Sequence, residues 1–430
     1  MKTNSLIFLL FVCLLSCDRN KKIITRFDDY RSYLSYARHV SKDPATEELK
    51  FWVERLEKNN NDEASLAKLG SIHANLFKST GLAQHILISD SLYARILKTY
   101  PKGNVEIYQS LAANAITQHK FQSAKDYTEK ALALGDKKAA SLLILVDVSL
   151  EIGDYATANL VLRDFKNKNS FAYLIRKAKL NDHEGHLDSA IVCMEKAYQR
   201  IKGNKGLSQW TLSNLADMYG HAGRIEDSYA GYLQVLKDNP QDDYALKGIA
   251  WIALSHDLNG EAAKTIINDL AIRKRMPEAH LMLAEIAELS GNQMVKADQL
   301  KTFKSLVSIA EYKNMYHKYL ATLEAEEFQN PNAAVSIAHA EIANRPTPQS
   351  YDLLAWAYYH QKNFREALSI ATRHVEHQTF EPEAFYHLGI IYQANGNNEQ
   401  ARYYLKEALE SEFELGPSVT KKIKTALENL

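Results

Sequence analysis

Cysteine is almost missing from this chain, with three residues in 430, at positions 13, 17 and 193. A disulfide scaffold is therefore excluded, and Cys193, in the run AIVCMEKAY, reads as a small buried hydrophobe rather than a nucleophile. Glycine (17) and proline (9) are also scarce. They are too few for the many turns of a β sandwich or for the glycine loops of a doubly wound nucleotide-binding sheet. An excess of charge is lacking too: 52 Lys and Arg balance 52 Asp and Glu. No net field draws the molecule to phosphodiester backbones, which argues against a basic nucleic-acid binder. No apolar run approaches the ~20 residues of a spanning helix. What remains is a 46% hydrophobic chain, enough to bury a large core and to exclude disorder, with a composition that favours helices.

The amino terminus carries an address. Lys2 precedes an uncharged apolar stretch from Leu6 to Leu15, the length of a secretory leader, and Asp18, Arg19, Lys21 and Lys22 follow soon after. The run Leu14, Leu15, Ser16, Cys17 resembles a bacterial lipobox, in which the cysteine is acylated and becomes the new terminus. That resemblance implies a signal peptide over residues 1–16, lipidation at Cys17 and a tether over 17–27. It also implies a lipid-anchored place in the bacterial cell envelope, facing the periplasm, with the choice of inner or outer membrane open.

The rest of the chain repeats itself. Segments beginning at Leu111, Leu215, Leu354 and Leu388 superpose without gaps. Each places a small residue next (Ala112, Ala216, Ala355, Gly389) and another on a second helix (Ala124, Ser228, Ala367, Ala401). Small side chains at these places let two helices cross closely. The pairs His119-Lys120, Gly223-Arg224, Lys362-Asn363 and Gly396-Asn397 mark the turn between them. The unit is an antiparallel helix pair.

With Tyr219, Tyr358 and Tyr392 four residues after the leading leucines, and with Pro101, Pro240, Pro346 and Pro382 closing units, the pattern resembles the tetratricopeptide repeat. The same offsets start units near Val105, Ala139, Phe171, Gln209, Asp243, Pro277, Met315, Pro348 and Pro382, close to the ~34-residue period of that family. The resemblance implies an all-α fold, a right-handed superhelical solenoid of helix pairs. Residues 28–104 read as a helical cap plus a first repeat stretched by Ser79 to His85. Residues 105–290 read as regular repeats and 291–347 as diverged ones, with either a diverged pair or an inserted helix. Residues 348–416 hold two carboxy-terminal repeats, and 417–430 form a capping helix. In such an array stability rests on neighbouring pairs.

No residues are left over for a catalytic module, and glycine-rich phosphate loops, nucleophile elbows and zinc-protease motifs are missing. His183 with His186, and His374 with His377, have a metal-like spacing, but they fall on a turn and a helix end without further ligands, so no metal or cofactor is expected. In the resembled family the first helix of each unit lines a concave groove through its second, fifth, ninth, twelfth and thirteenth residues. Those offsets select Trp210, Asp217 and His221, then Tyr244, Lys247 and Trp251. From the two carboxy-terminal units they select Asp352, Trp356, Tyr359 and His360, then Tyr386, Ile390 and Gln393. Large aromatics beside a few polar groups are what a peptide or partner helix would bind, although Trp251 and Trp356 also suit packing against the following repeat. The Lys and Asn carboxylate clamp of some family members does not occur at these places. The chain thus reads as a non-enzymatic scaffold for an envelope protein or peptide, with no nucleic acid and no small-molecule substrate. A glycan-capturing surface lipoprotein and an enzyme acting from a repeat face are the rival readings.

Overall fold

The computed structural model describes residues 22–34, 44–100, 103–201, 203–273 and 275–430. The expected leader, Cys17 and Pro101 lie outside the described residues, as do residues 17–21 of the expected tether. Among the described residues all regular structure is helical.

A short helix α1 (Phe27–Leu34) and a longer α2 (Pro44–Lys58) precede ten antiparallel pairs. The first four are α3 (Glu63–Thr80) with α4 (Ala83–Thr99), α5 (Val105–Thr117) with α6 (Phe121–Ala133), α7 (Lys138–Glu151) with α8 (Tyr155–Asp164), and α9 (Phe171–His183) with α10 (Leu187–Arg200). Three central pairs follow: α11 (Lys205–His221) with α12 (Ile225–Asp238), α13 (Asp243–Trp251) with α14 (Gly260–Arg273), and α15 (Pro277–Leu289) with α16 (Gln293–Val307). The last three are α17 (His317–Glu326) with α18 (Pro331–Asn344), α19 (Pro348–His360) with α20 (Phe364–His374), and α21 (Pro382–Ala394) with α22 (Asn398–Leu409). A final helix, α23 (Glu412–Glu428), closes the chain.

The sequence chooses these boundaries by capping. The side chains of Asn104, Asp154, Ser170, Asn204, Asp242 and Asn397 accept backbone N–H bonds at helix starts. Pro277, Pro331, Pro348 and Pro382 occupy first helical positions, where a missing N–H is harmless. Within every pair one residue, two places before the second helix, has positive φ. In most pairs the next amide then bonds back across the turn, as Arg224 N to Tyr219 O at 2.8 Å and Asn397 N to Tyr392 O at 3.0 Å. The small residues sit where the helices touch: Ala112, Ala124, Ala216, Ala355, Ala367 and Ala401 are fully buried.

The units wind into a superhelix that closes on itself. Turns of the second to fifth units abut the loops that enter the ninth and tenth units and α23. Phe121 N donates to Asn344 Oδ1 at 3.0 Å, and Arg345 lies 3.6 Å from Glu151. Gly185 faces the ring of Phe380, and Gly220 that of Phe413. The first unit likewise meets a later one, with Ala83 N donating to the Tyr312 hydroxyl at 2.9 Å.

Several expectations need correction. The first repeat is stretched within its helices and not by a displaced second helix: α3 runs on to Thr80, and Gly81 and Leu82 alone make the turn. Helix α1 does not join the amino-terminal cap but packs on α12 and α14. Residues 22–27 are not a free tether, because Ile24 N and Thr25 N donate to the Asp257 carboxylate at 3.0 and 2.8 Å and Arg26 N donates to the Tyr229 hydroxyl at 3.1 Å. Of the two alternatives left open for residues 291–347, the diverged pair holds: between α16 and α17 there is only a single 3-10 turn over Lys313–Tyr316. The carboxy-terminal helix starts before Pro417, kinks at Gly416 (φ 78°) and enters the concave side of the superhelix.

Candidate partner-binding site

The first helices of neighbouring units set their groove-facing residues side by side, and between α11, α13 and α15 they enclose a chamber of about 530 Å³. Asp217, Tyr244, Lys247 and Trp251 line it, joined by Glu278 and Glu285 from α15, Tyr319 from α17 and Glu414 from α23. Asp217 is held by two phenols: the hydroxyls of Tyr232 and Tyr244 both donate to its carboxylate. Burial and the adjacent Asp217 charge raise both phenol pKa values, so the two tyrosines stay protonated donors. Lys247 Nζ sits 5.0 Å above the Tyr244 ring. Glu278 accepts from the Tyr316 hydroxyl at 3.1 Å.

Glu285 is weakly satisfied. Its Oε1 accepts one long bond, from Ser418 N at 3.4 Å, and burial pushes its pKa up to about 7. Among the described residues, none of Asp217, Glu278, Glu285 and Glu414 has a lysine or arginine within ion-pair distance; Glu414 meets His221 at 3.7 Å. His221 and Glu414 also border a second cavity of about 280 Å³, lined further by Asp182, His183, Thr379 and Glu381. The two cavities flank one His–Glu contact, and carboxylates line both.

The selected groove residues separate into three groups. Asp217, His221, Tyr244, Lys247 and Trp251 come together at the chamber. Trp251 is nevertheless already engaged: its Nε1 donates to Phe413 O at 3.0 Å, and Ser255 Oγ donates to the same carbonyl at 2.7 Å. Trp210 is exposed away from the chamber, edge-on to Phe171 at 6.4 Å. The carboxy-terminal set is a correction. Trp356, Asp352 and Tyr386 are buried between units and unavailable to a partner, because the following repeat and α23 cover that face. Trp356 stacks on Tyr359 at 4.8 Å and on His387 at 4.0 Å and donates to Glu326 at 2.8 Å, while Asp352 bonds His387 at 2.7 Å. His360 meets the Trp356 ring edge-on, and both Ile390 and Gln393 are half-buried outside the two cavities.

Glu278 and Glu285 were within reach of the same reasoning, being second and ninth in the unit that starts at Pro277. Phe413 and Glu414 were not, since they arrive from outside the repeat register. The two histidine spacings are absorbed by aromatic contacts, His183 on Tyr155 at 5.4 Å and His374 on Tyr351 at 4.0 Å. Cys193 is half-buried and not fully buried as its sequence context suggested, and the burial it has raises its thiol pKa.

Residues 382–414 match the tetratricopeptide repeat family, which bears out the resemblance read from the sequence. Solved structures similar to this chain include a tetratricopeptide repeat protein from Parabacteroides merdae, 19% identical over 60% of this chain and 97% of that one, with a TM-score of 0.36. Human IFIT1, solved as a dimer with PPP-AAAA, is 15% identical over 90% of this chain and 95% of that one, with a TM-score of 0.43. Pseudomonas aeruginosa pilF is 15% identical over 49% of this chain and 96% of that one, with a TM-score of 0.36. No curated protein matches the chain.

Proposed function

We propose that this chain, whose residues 382–414 match the tetratricopeptide repeat, is a non-enzymatic, lipid-anchored scaffold of the bacterial envelope that holds a protein or peptide partner on its concave surface. The observation that carries the reading is the chamber beside Trp251. Aromatic walls and four carboxylates surround one lysine, so the surface suits an extended segment presenting a basic side chain. Aromatic faces attract such a cation and the carboxylates bond it. The same lining repels a phosphodiester backbone, which keeps nucleic acid outside the reading. The chamber's size fits one or two side chains rather than a whole partner helix.

The test is fluorescence anisotropy with a panel of labelled extended peptides that differ only in a central Lys, Arg, Met or Glu. Lys and Arg peptides are expected to bind, Met and Glu peptides to lose at least ~10-fold, as for truncating an interface hot spot. Binding should strengthen as pH rises through about 7, where Glu285 ionises. Equal binding of all four peptides, or no change with Asp217→Asn, would remove the chamber from the partner site. Lipid anchoring is read separately by fractionating cells that express Cys17→Ser; a variant that stays membrane-bound and processed as before would refute it.

A further inference from the structure

The turn edge of the second to fifth units is covered by the later superhelical turn, whereas at the sixth and seventh units it ends the stack. Exposed leucine and methionine side chains gather there among polar neighbours. Of the ten left-handed turn residues, nine are glycine or polar, and the tenth is Leu258, with φ of 54° and 67% exposed. A leucine in that conformation is strained, and this one is not compensated by burial. It borders a cavity of about 450 Å³ with Leu254, Ile286, Leu289 and Pro417, and with Glu261 and Ser290 at its polar side, and Met294, 81% exposed, lies in the first turn of the next helix. The amino-terminal segment is delivered to the same edge. Ile24 and Thr25 bind Asp257, the residue before Leu258, and Ile23 is 67% exposed. Five peptide steps join Lys22 to Cys17, a reach of at most ~18 Å.

We propose that this edge is the membrane-facing surface of the molecule, with Leu258, Leu289 and Met294 lying against lipid at the level of the headgroups. The proposal rests on the lipid-anchor reading above, since the acyl chains bring the bilayer to the edge and hold it at high effective concentration. A few exposed apolar side chains do not bind a membrane alone, but they are enough to orient a chain that is already anchored. The occupant is the bilayer because the chain that would carry the lipid emerges within a few residues of the patch.

The experiment uses the full lipidated chain in vesicles of phosphatidylethanolamine and phosphatidylglycerol carrying bromine on the acyl chains. A tryptophan is introduced by Leu258→Trp, by Met294→Trp on a regular helix as the safer variant, and by Leu160→Trp on α8 as an exposed control. Each is compared with the parent, which has four tryptophans. The first two probes are expected to shift to the blue and to lose fluorescence to the brominated lipid, and the control to do neither. Three equally quenched probes, or an unquenched Met294→Trp in protein that floats with the vesicles, would overturn the edge and leave the anchor standing. Unquenched probes in a chain that sediments as a dimer would assign the patch to a second copy and equally overturn it. Cys17→Ser reads the anchor alone: its loss from the floating fraction supports the anchor, and its retention defeats it whatever the probes report.

Discussion

At the scale of single residues, Glu285 carries a conflict that distinguishes a site from a core. Burial raises its carboxyl to about 7, above the ordinary 4.5, so between those values the folded chain binds a proton that the unfolded chain releases. Stability therefore falls as pH rises through that window, and the loss is complete above about 7. Glu285→Gln removes the titration. It should raise the melting temperature at pH 8 with little effect at pH 4, and it should weaken the binding of a lysine peptide. A variant less stable at pH 8, or one that binds unchanged, would make Glu285 a structural acid. Residue offsets foretold half of this environment. They brought Asp217, Tyr244, Lys247 and Trp251 to one chamber, because those positions depend only on helical phase within adjacent units. They failed for Trp356, Asp352 and Tyr386, where the same phase points into an interface that α21 and α23 close. Whether a groove position is open depends on what lies across it, and helical phase carries no such information.

At the scale of helix pairs the sequence is almost transparent. Leucine, small residue and turn recur with fixed offsets because each pair must bring two backbones together and then reverse the chain. At Gly389 the crossing leaves no room for a side chain. A Cβ there would stand 2.6 Å from Leu405 Cγ and 3.2 Å from the Leu405 backbone nitrogen, so the partner helix itself would have to move. Gly389→Ala should cost ~1–3 kcal/mol in urea denaturation, the usual penalty for overpacking. Gly206 provides the contrast within α11. A Cβ added there would meet nothing within 4 Å and the residue lies in the helix, so Gly206→Ala should stabilise by ~0.4–1 kcal/mol. Equal effects at the two glycines would mean that the crossing is looser than its geometry. The first pair misled for the opposite reason: α3 and α4 extend their helices, and a longer helix reads as an insertion when only the period is compared.

At the scale of the whole molecule, the chain departs from a one-dimensional array. Neighbour packing alone would let repeats open independently, yet contacts here join residues more than two hundred positions apart. Asn344 is a compact example. Its Oδ1 accepts from Phe121 N at 3.0 Å, its Nδ2 donates to His119 O at 2.8 Å, and its own carbonyl accepts from Gln122 Nε2 at 2.8 Å. Arg345 beside it places its guanidinium 5.3 Å over the Phe121 ring. No local sequence signal reports this, because the meeting of the second and eighth units is fixed by the pitch accumulated over all the units between them. Asn344→Ala leaves a helix-start amide and a turn carbonyl without their partner, a loss of ~1–3 kcal/mol for buried groups. If the superhelical closure couples distant units, amide exchange should accelerate together in residues 118–133 and 331–344. The intervening units at 171–238 should keep their protection. Faster exchange confined to the helix that bears the substitution would mean that the contact decorates an array whose stability remains local.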